Sequence, residues 1–223
     1  MKKNLGIQAF MKCFCGLLLI GLLLFAPAGT FVYWNAWLLI GALFIPMAIF
    51  GGYLLFRDRN LLEKRLHMDE KESGQRLVIL LSSLMFVAGF IIAALDFRFG
   101  WSKVPFWLVI TAAIVFLLSY FIFAVVMKEN AFLSRTVEIQ ENQTVIDTGL
   151  YGIVRHPMYF ATVLLFCSMP LILGSWFAFL VFLFYPLILV KRIKNEEAVL
   201  LAGLPGYAEY VKKVKYRVIP FIW

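Results

Sequence analysis

The stretch Met158–Val190 reads MYFATVLLFCSMPLILGSWFAFLVFLFYPLILV, 33 residues without one Asp, Glu, Lys or Arg. A helix crosses the hydrocarbon core of a bilayer with about 20 apolar residues, so this run is too long for one upright span. Leu173-Gly174-Ser175-Trp176, near its middle, supplies a turn signal. The run therefore reads as a tight hairpin of two short membrane helices.

Upstream, four more stretches have the length and near-absence of charge expected of spans: Lys12–Phe31, Tyr33–Phe56, Leu77–Leu95 and Val104–Met127. Composition agrees, because 63% of the 223 residues are hydrophobic and only 15% are charged. That leaves too little polar material to cover a water-facing surface, and the mean hydropathy of +0.88 excludes an ordinary soluble globule. The expected fold is all-α: a polytopic membrane bundle of about six helices forming one membrane domain, with kinks at Pro46, Pro170 and Pro186. Residues 1–127 carry four spans, and 128–223 carry a loop, the hairpin and a basic tail. The small residues Ala26-Pro27-Ala28 imitate a signal cleavage site, but Pro27 falls within it and five spans follow, so the first helix reads as uncleaved.

The net charge of +8 is distributed as a topology signal. Lys2, Lys3 and Lys12 precede or begin span one, and Arg57, Arg59, Lys64, Arg65, Lys71 and Arg76 follow span two. Lys128, Arg135 and Arg155 follow span four; Lys191, Arg192, Lys194, Lys212, Lys213, Lys215 and Arg217 follow span six. Only Arg98 and Lys103 lie on the other set of loops. The positive-inside rule thus puts both termini in the cytoplasm. No basic patch is interleaved with stacking aromatics, so no nucleic-acid partner is expected. Cys13, Cys15 and Cys167 form neither a disulfide set nor a metal spacing and read as apolar fillers, and no metal site is expected.

Polar chemistry is confined to three segments on that same side. Arg57–Arg76, which holds His67, mixes bases with acids at helical spacing and reads as a solvated connection. The second segment, DTGLYGIVRHPMY over Asp147–Tyr159, runs straight into the hairpin. Pro157 suits the first position of a helix, which holds Arg155 and His156 at the mouth of a membrane helix beside unpaired backbone N–H groups. A basic interfacial anchor with aromatic belt residues Tyr151 and Tyr159 is the competing interpretation. The third segment, KRIKNEE over Lys191–Glu197, ends the hairpin's second arm at the same membrane face. Arg192 and Glu196 are one helical turn apart and would form a surface pair worth a few tenths of a kcal/mol. Acids at a helix C-terminus are, however, poorly placed for stability. The hairpin ends thus gather an imidazole, two guanidinium groups, two carboxylates and two phenols.

The ordered pattern Gly149-Leu150-Tyr151-x-x-x-Arg155-His156-Pro157-x-Tyr159, a hairpin, Arg192-x-x-x-Glu196-Glu197, Gly206-Tyr207-x-x-Tyr210 and Arg217-x-x-Pro220 resembles the isoprenylcysteine carboxyl methyltransferase family, which belongs with the membrane-embedded phospholipid methyltransferases. The resemblance covers roughly Asn130 to Trp223. It implies transfer of a methyl group from S-adenosylmethionine to a lipid-borne acceptor, most simply a carboxylate, entering from the bilayer, with the active site on the cytoplasmic side. It also implies cofactor-binding positions at Gln143, Thr144, Val145, Ile146, Tyr151, His156, Pro157, Met158, Tyr159 and Glu196. Substrate-binding positions fall at Arg192 and Arg217, and catalytic ones at Arg192, Arg155 and His156. The chain departs from the eukaryotic members of the family at Leu204-Pro205-Gly206, where Phe-Phe-Gly is expected.

The residue chemistry is compatible with that implication. A sulfonium donor with an ammonium and a carboxylate calls for an acid such as Glu196, a cation such as Arg155 or His156, and soft aromatic faces such as Tyr151 or Tyr159. A carboxylate acceptor is already ionised at neutral pH and needs no base, whereas an amine acceptor would need proton removal, for which His156 is the nearest group. Membrane sterol and steroid reductases, which end in a similar His-Pro-x-Tyr hairpin but use NADPH, are the rival class, and a non-enzymatic scaffold is the third. The Arg192/Glu196-Glu197 cluster and a site segment poor in Lys and Arg favour methyl transfer, since a 2′-phosphate would call for more basic residues near the cofactor loop.

Overall fold

A computed structural model describes residues 5–66, 73–133 and 137–223. His67, Lys2, Lys3, Lys71 and Arg135 lie outside the described residues. Four long apolar helices come first: α1 (Leu5–Ala28), α2 (Trp34–Arg57), α4 (Ser73–Phe99) and α5 (Phe106–Glu129), with a short α3 (Arg59–Leu66) between α2 and α4. The hairpin follows as α6 (Pro157–Ile172), α7 (Trp176–Phe182) and α8 (Tyr185–Gly203), and a single 3₁₀ turn at Gly149–Gly152 precedes it. The tail carries α9 (Tyr207–Lys213). No strand occurs among the described residues.

Among the described residues, five helical stretches are long and apolar enough to cross a membrane, and α6 is a sixth, shorter apolar helix. Large apolar side chains such as Leu22, Phe121 and Leu187 point outward, each more than 60% exposed. In water that would be costly, but against lipid tails it is the ordinary arrangement. The protein is an integral membrane helical bundle.

The expected hairpin turn falls where the sequence puts it, with Gly174 at φ +80° between α6 and α7. The second arm differs from the expectation in being two pieces. Pro186 has no N–H to donate, so the chain breaks at Leu183–Phe184 and restarts with Pro186 in the first turn of α8, where a missing donor costs nothing. Pro46 and Pro170, by contrast, sit inside continuous α2 and α6. The first helix also begins earlier than Lys12, at Leu5. Lys12 lies within it and donates to the Leu66 carbonyl at the end of α3.

The hairpin is wedged into the bundle. α6 packs most extensively on α5, and α7 and α8 lie along α4. At the closest approach a Cβ added to Gly89 would sit 2.3 Å from the Phe182 ring, so only glycine lets α4 and α7 meet this closely. Phe116, Phe182, Ile172 and Ile193 are fully buried in the resulting core.

The turn is locked at its end of the bundle by Asp96, which is 1% exposed. Its carboxylate accepts from Ser102 N (2.7 Å), Ser102 Oγ (2.6 Å) and Ser175 Oγ. Tyr33 Oη donates to Leu173 O at 2.6 Å, and Asn35 Nδ2 to Ile172 O at 2.7 Å. Fixing the turn fixes the register of both arms, and hence the places where their charged ends emerge at the opposite end.

Candidate active site

At that opposite end the loop before α6 is tied to the tail. Arg155 N donates to Tyr216 O (2.9 Å) and His156 N to Arg217 O (2.8 Å). These bonds satisfy backbone donors just ahead of a helix start, where partners are otherwise lacking. Gly149 makes the preceding turn: its φ is +55°, and a Cβ there would lie 2.2 Å from Glu129 Oε1. Glu129 in turn accepts from Leu150 N at 3.1 Å. Tyr151 is thereby held against α5, where Asn130 Nδ2 donates to its hydroxyl at 3.1 Å.

The two neighbouring glutamates of α8 do different work, because successive helical residues point about 100° apart. Glu197 turns inward and is 5% exposed. Its Oε1 accepts from Arg155 Nε at 2.7 Å and lies 3.3 Å from His156 Nε2, and its Oε2 accepts from Arg217 Nε at 2.7 Å. Arg155 Nη1 donates to the tail carbonyls of Val214 (2.6 Å) and Lys215 (3.0 Å). A buried carboxylate with this many charged donors is compensated, whereas the same group alone would not be tolerated.

Glu196 turns toward a cavity instead. It accepts from the Tyr159 hydroxyl, and its Oε1 stands 4.0 Å from His156 Nδ1. The same hydroxyl accepts from Arg192 Nε at 2.9 Å. A phenol thus bridges Arg192 and Glu196, the pair that spacing alone reads as a direct surface ion pair. Gln75 of α4, fully buried, flanks Arg192: its amide donates to the Arg192 carbonyl (3.3 Å) and accepts from the guanidinium (3.5 Å).

The cavity is a partly open cleft lined by the loop before α6, the start of α6, α8 and the tail. Gln143, Thr144, Val145 and Ile146 form one wall, and Tyr151, Arg155, His156, Met158 and Tyr159 form the floor. Arg192 and Glu196 line it from α8. Of the residues singled out from the sequence, Pro157 and Arg217 do not line it. Pro157 is the buried first residue of α6, and Arg217 sits behind Glu197 with its guanidinium 5.5 Å from the Trp223 ring centroid. Asn130, Tyr207, Leu204 and Tyr210 line it as well. Tyr207 and Tyr210 carried a motif signal without a role, while Gln75 and Asn130 carried no signal at all. Burial pushes the Tyr210 phenol well above its ordinary pKa, so it is a neutral donor to Tyr151 O at 2.8 Å. At the surface, Lys213 Nζ donates to Asp147 at 2.6 Å and holds that carboxyl below its usual range.

No group of three or more His, Cys, Asp or Glu suited to a metal ion occurs among the described residues. The arrangement can hold a zwitterion: a carboxylate, an arginine and an imidazole converge at one end, with an aromatic and aliphatic wall at the other.

Residues 108–202, from α5 to near the end of α8, match the family described as isoprenylcysteine carboxyl methyltransferase (ICMT). The resemblance carried by the Arg-His-Pro-x-Tyr and Glu-Glu motifs is borne out over that stretch, and the match supports a membrane methyltransferase. The chain is also similar to the Delta(14)-sterol reductase of Methylotuvimicrobium alcaliphilum, at 26% identity over 93 residues. That alignment covers 40% of this chain and 22% of the reductase, so the chain spans only about a fifth of that relative's length.

Proposed function

We propose that the protein is an S-adenosylmethionine-dependent methyltransferase acting on a lipid-borne carboxylate at the cytoplasmic membrane face. The observation that carries this reading is the division of labour on α8. Arg192 and Glu196 both face the cavity and share the Tyr159 hydroxyl, while Glu197 braces the floor from behind. The cavity offers complementary partners for each part of the cofactor. Glu196 suits the ammonium, the His156 side chain suits the carboxylate, and Tyr151 and Tyr159 offer faces for a sulfonium. Val145, Leu200 and Leu204 offer an apolar wall for a heterocycle. The buried Tyr207 hydroxyl, which lacks a hydrogen-bond partner, fits a site completed by a ligand.

The cofactor, when bound, supplies an electrophilic methyl group. The chain's own task is placement. Arg192 holds the acceptor carboxylate by one or two N–H bonds, Tyr159 fixes the guanidinium, and Gln75 fixes it from α4. A carboxylate acceptor is ionised without help, so no residue has to remove a proton. Correct orientation supplies about 7–11 kcal/mol in favourable cases, and the apolar walls keep competing water out. The outward apolar faces of α5 and α8 let a lipid approach from the side.

The similarity to a sterol reductase favours a second reading, NADPH-dependent reduction of a lipid. The wall segment Gln143–Val154 has no Lys or Arg, and Arg155 is committed to Glu197 and the tail, which makes a 2′-phosphate a poor fit. Transfer of labelled methyl from S-adenosylmethionine to a panel of lipid acids and amines tests the proposal. Labelling of an acid is expected; labelling of amines alone would overturn the carboxylate, and labelling of neither would overturn the methyltransferase.

A further inference from the structure

Tyr207 is the first residue of α9, set by Gly206 at φ +82°. It is 4% exposed, its ring lines the cavity, and its hydroxyl has no hydrogen-bond partner. Its neighbour Tyr210, 5.6 Å away between ring centroids, has its own hydroxyl satisfied by Tyr151 O. Leaving a buried hydroxyl unpaired costs about 1–3 kcal/mol, and such groups are rare enough in folded proteins to call for a partner.

The surroundings say what kind of partner. Burial, and after it the charges of Glu197 and Glu196, push the phenol's ionisation far above the ordinary range against the opposing effect of Arg155, so the group is a neutral donor. The two carboxylates make this spot less favourable for an anionic acceptor than for a neutral one. Around the ring lie Val145, Leu200, Leu204 and Val214, an apolar and aromatic wall suited to a flat heterocycle and its sugar.

We propose that the Tyr207 hydroxyl is a ligand-binding donor, reserved for an uncharged acceptor, a ribose hydroxyl or purine nitrogen, on the nucleoside part of the bound cofactor. The inference rests on the cofactor reading above and extends it to a tail residue beyond the family match. The donor has no partner within the chain and gains one from the ligand, so stability and affinity respond to its removal in opposite senses.

Tyr207→Phe separates the two. In detergent, calorimetric titration with S-adenosylhomocysteine is expected to show about five- to tenfold weaker binding to the variant than to the unsubstituted protein. The ligand-free variant should unfold at the same temperature or higher. Equal affinity would overturn the inference, and so would a lower unfolding temperature without ligand, which would mean that the hydroxyl has a partner inside the protein. If the unsubstituted protein binds NADP but not S-adenosylhomocysteine, the cofactor reading fails instead. In that case the same comparison made with NADP decides whether Tyr207 serves a nucleoside at all.

Discussion

Arg155 Nε donates to Glu197 Oε1 at 2.7 Å with both residues 5% exposed, joining the loop before the hairpin's first arm to α8, which runs on past the expected end at Glu197 to Gly203. Because Arg155 also binds two tail carbonyls, and Arg217 of the tail binds the other oxygen of Glu197, this one contact unites three segments beneath the cavity. It is the floor on which His156 and Tyr159 are set.

Glu197→Gln should therefore act first on stability. The substitution leaves Arg155 buried opposite a neutral amide, and breaking a buried ion pair from one side costs about 3–5 kcal/mol. Thermal unfolding in detergent checks this, and a drop of several degrees is expected. Glu196→Gln, whose carboxylate faces the cavity, should shift the unfolding midpoint little while abolishing cofactor binding.

Arg192→Ala should bind cofactor and fail to turn over, since the arginine is assigned to the acceptor. Arg192→Lys should restore little, because an ammonium cannot reproduce the planar fork. Cofactor titration beside methyl-transfer rates checks both, and normal turnover in either variant would remove Arg192 from the substrate role.

Gln75→Leu should raise the KM for the acceptor several-fold with the cofactor Kd unchanged. Gln75 is fully buried and touches Arg192 through both amide atoms, so its removal loosens only the acceptor side. A matching loss of cofactor affinity would mean that α4 supports the whole cavity.

Tyr210 gives a pH prediction. Its folded-state pKa is raised by burial, so its neutral hydroxyl contributes stability that is fully present below the unfolded phenol value of about 10. That contribution falls away as the pH rises from there through the folded-state value. Tyr210→Phe should lower stability by about 1 kcal/mol, and its difference from the unsubstituted protein should stay constant from pH 7 to about pH 10 and shrink above that. Unfolding midpoints across the range check it; convergence below pH 9 would contradict the assignment.

Asp96→Ala should cost about 2–3 kcal/mol by stranding the Ser102 and Ser175 donors. Thermal unfolding in detergent checks this, and an unchanged midpoint would contradict the lock.

The hairpin was legible because its signals are local: an uncharged run of known length, a glycine turn and a proline at a helix start. Of the cavity lining, Arg155, His156 and Tyr159 were legible from their place at the hairpin mouth, whereas Gln143–Ile146 were indicated by the family resemblance alone. What stayed hidden depends on contacts distant along the chain. Glu196 and Glu197 are the same residue type side by side, and only the fold turns one to the cavity and the other to Arg217. Gln75 is an unremarkable polar residue at a helix start until α4 is packed on α8. Arg217, placed by resemblance at a substrate position, stands behind Glu197 because the tail folds back over the loop at Arg155–His156.

The central claim is that the cavity at the hairpin mouth holds S-adenosylmethionine through Glu196. Calorimetric titration of the detergent-purified protein and its Glu196→Gln variant with S-adenosylhomocysteine and with NADP tests it most directly. Binding of S-adenosylhomocysteine that the substitution abolishes, with no binding of NADP, is the predicted result. Binding of NADP alone would contradict it.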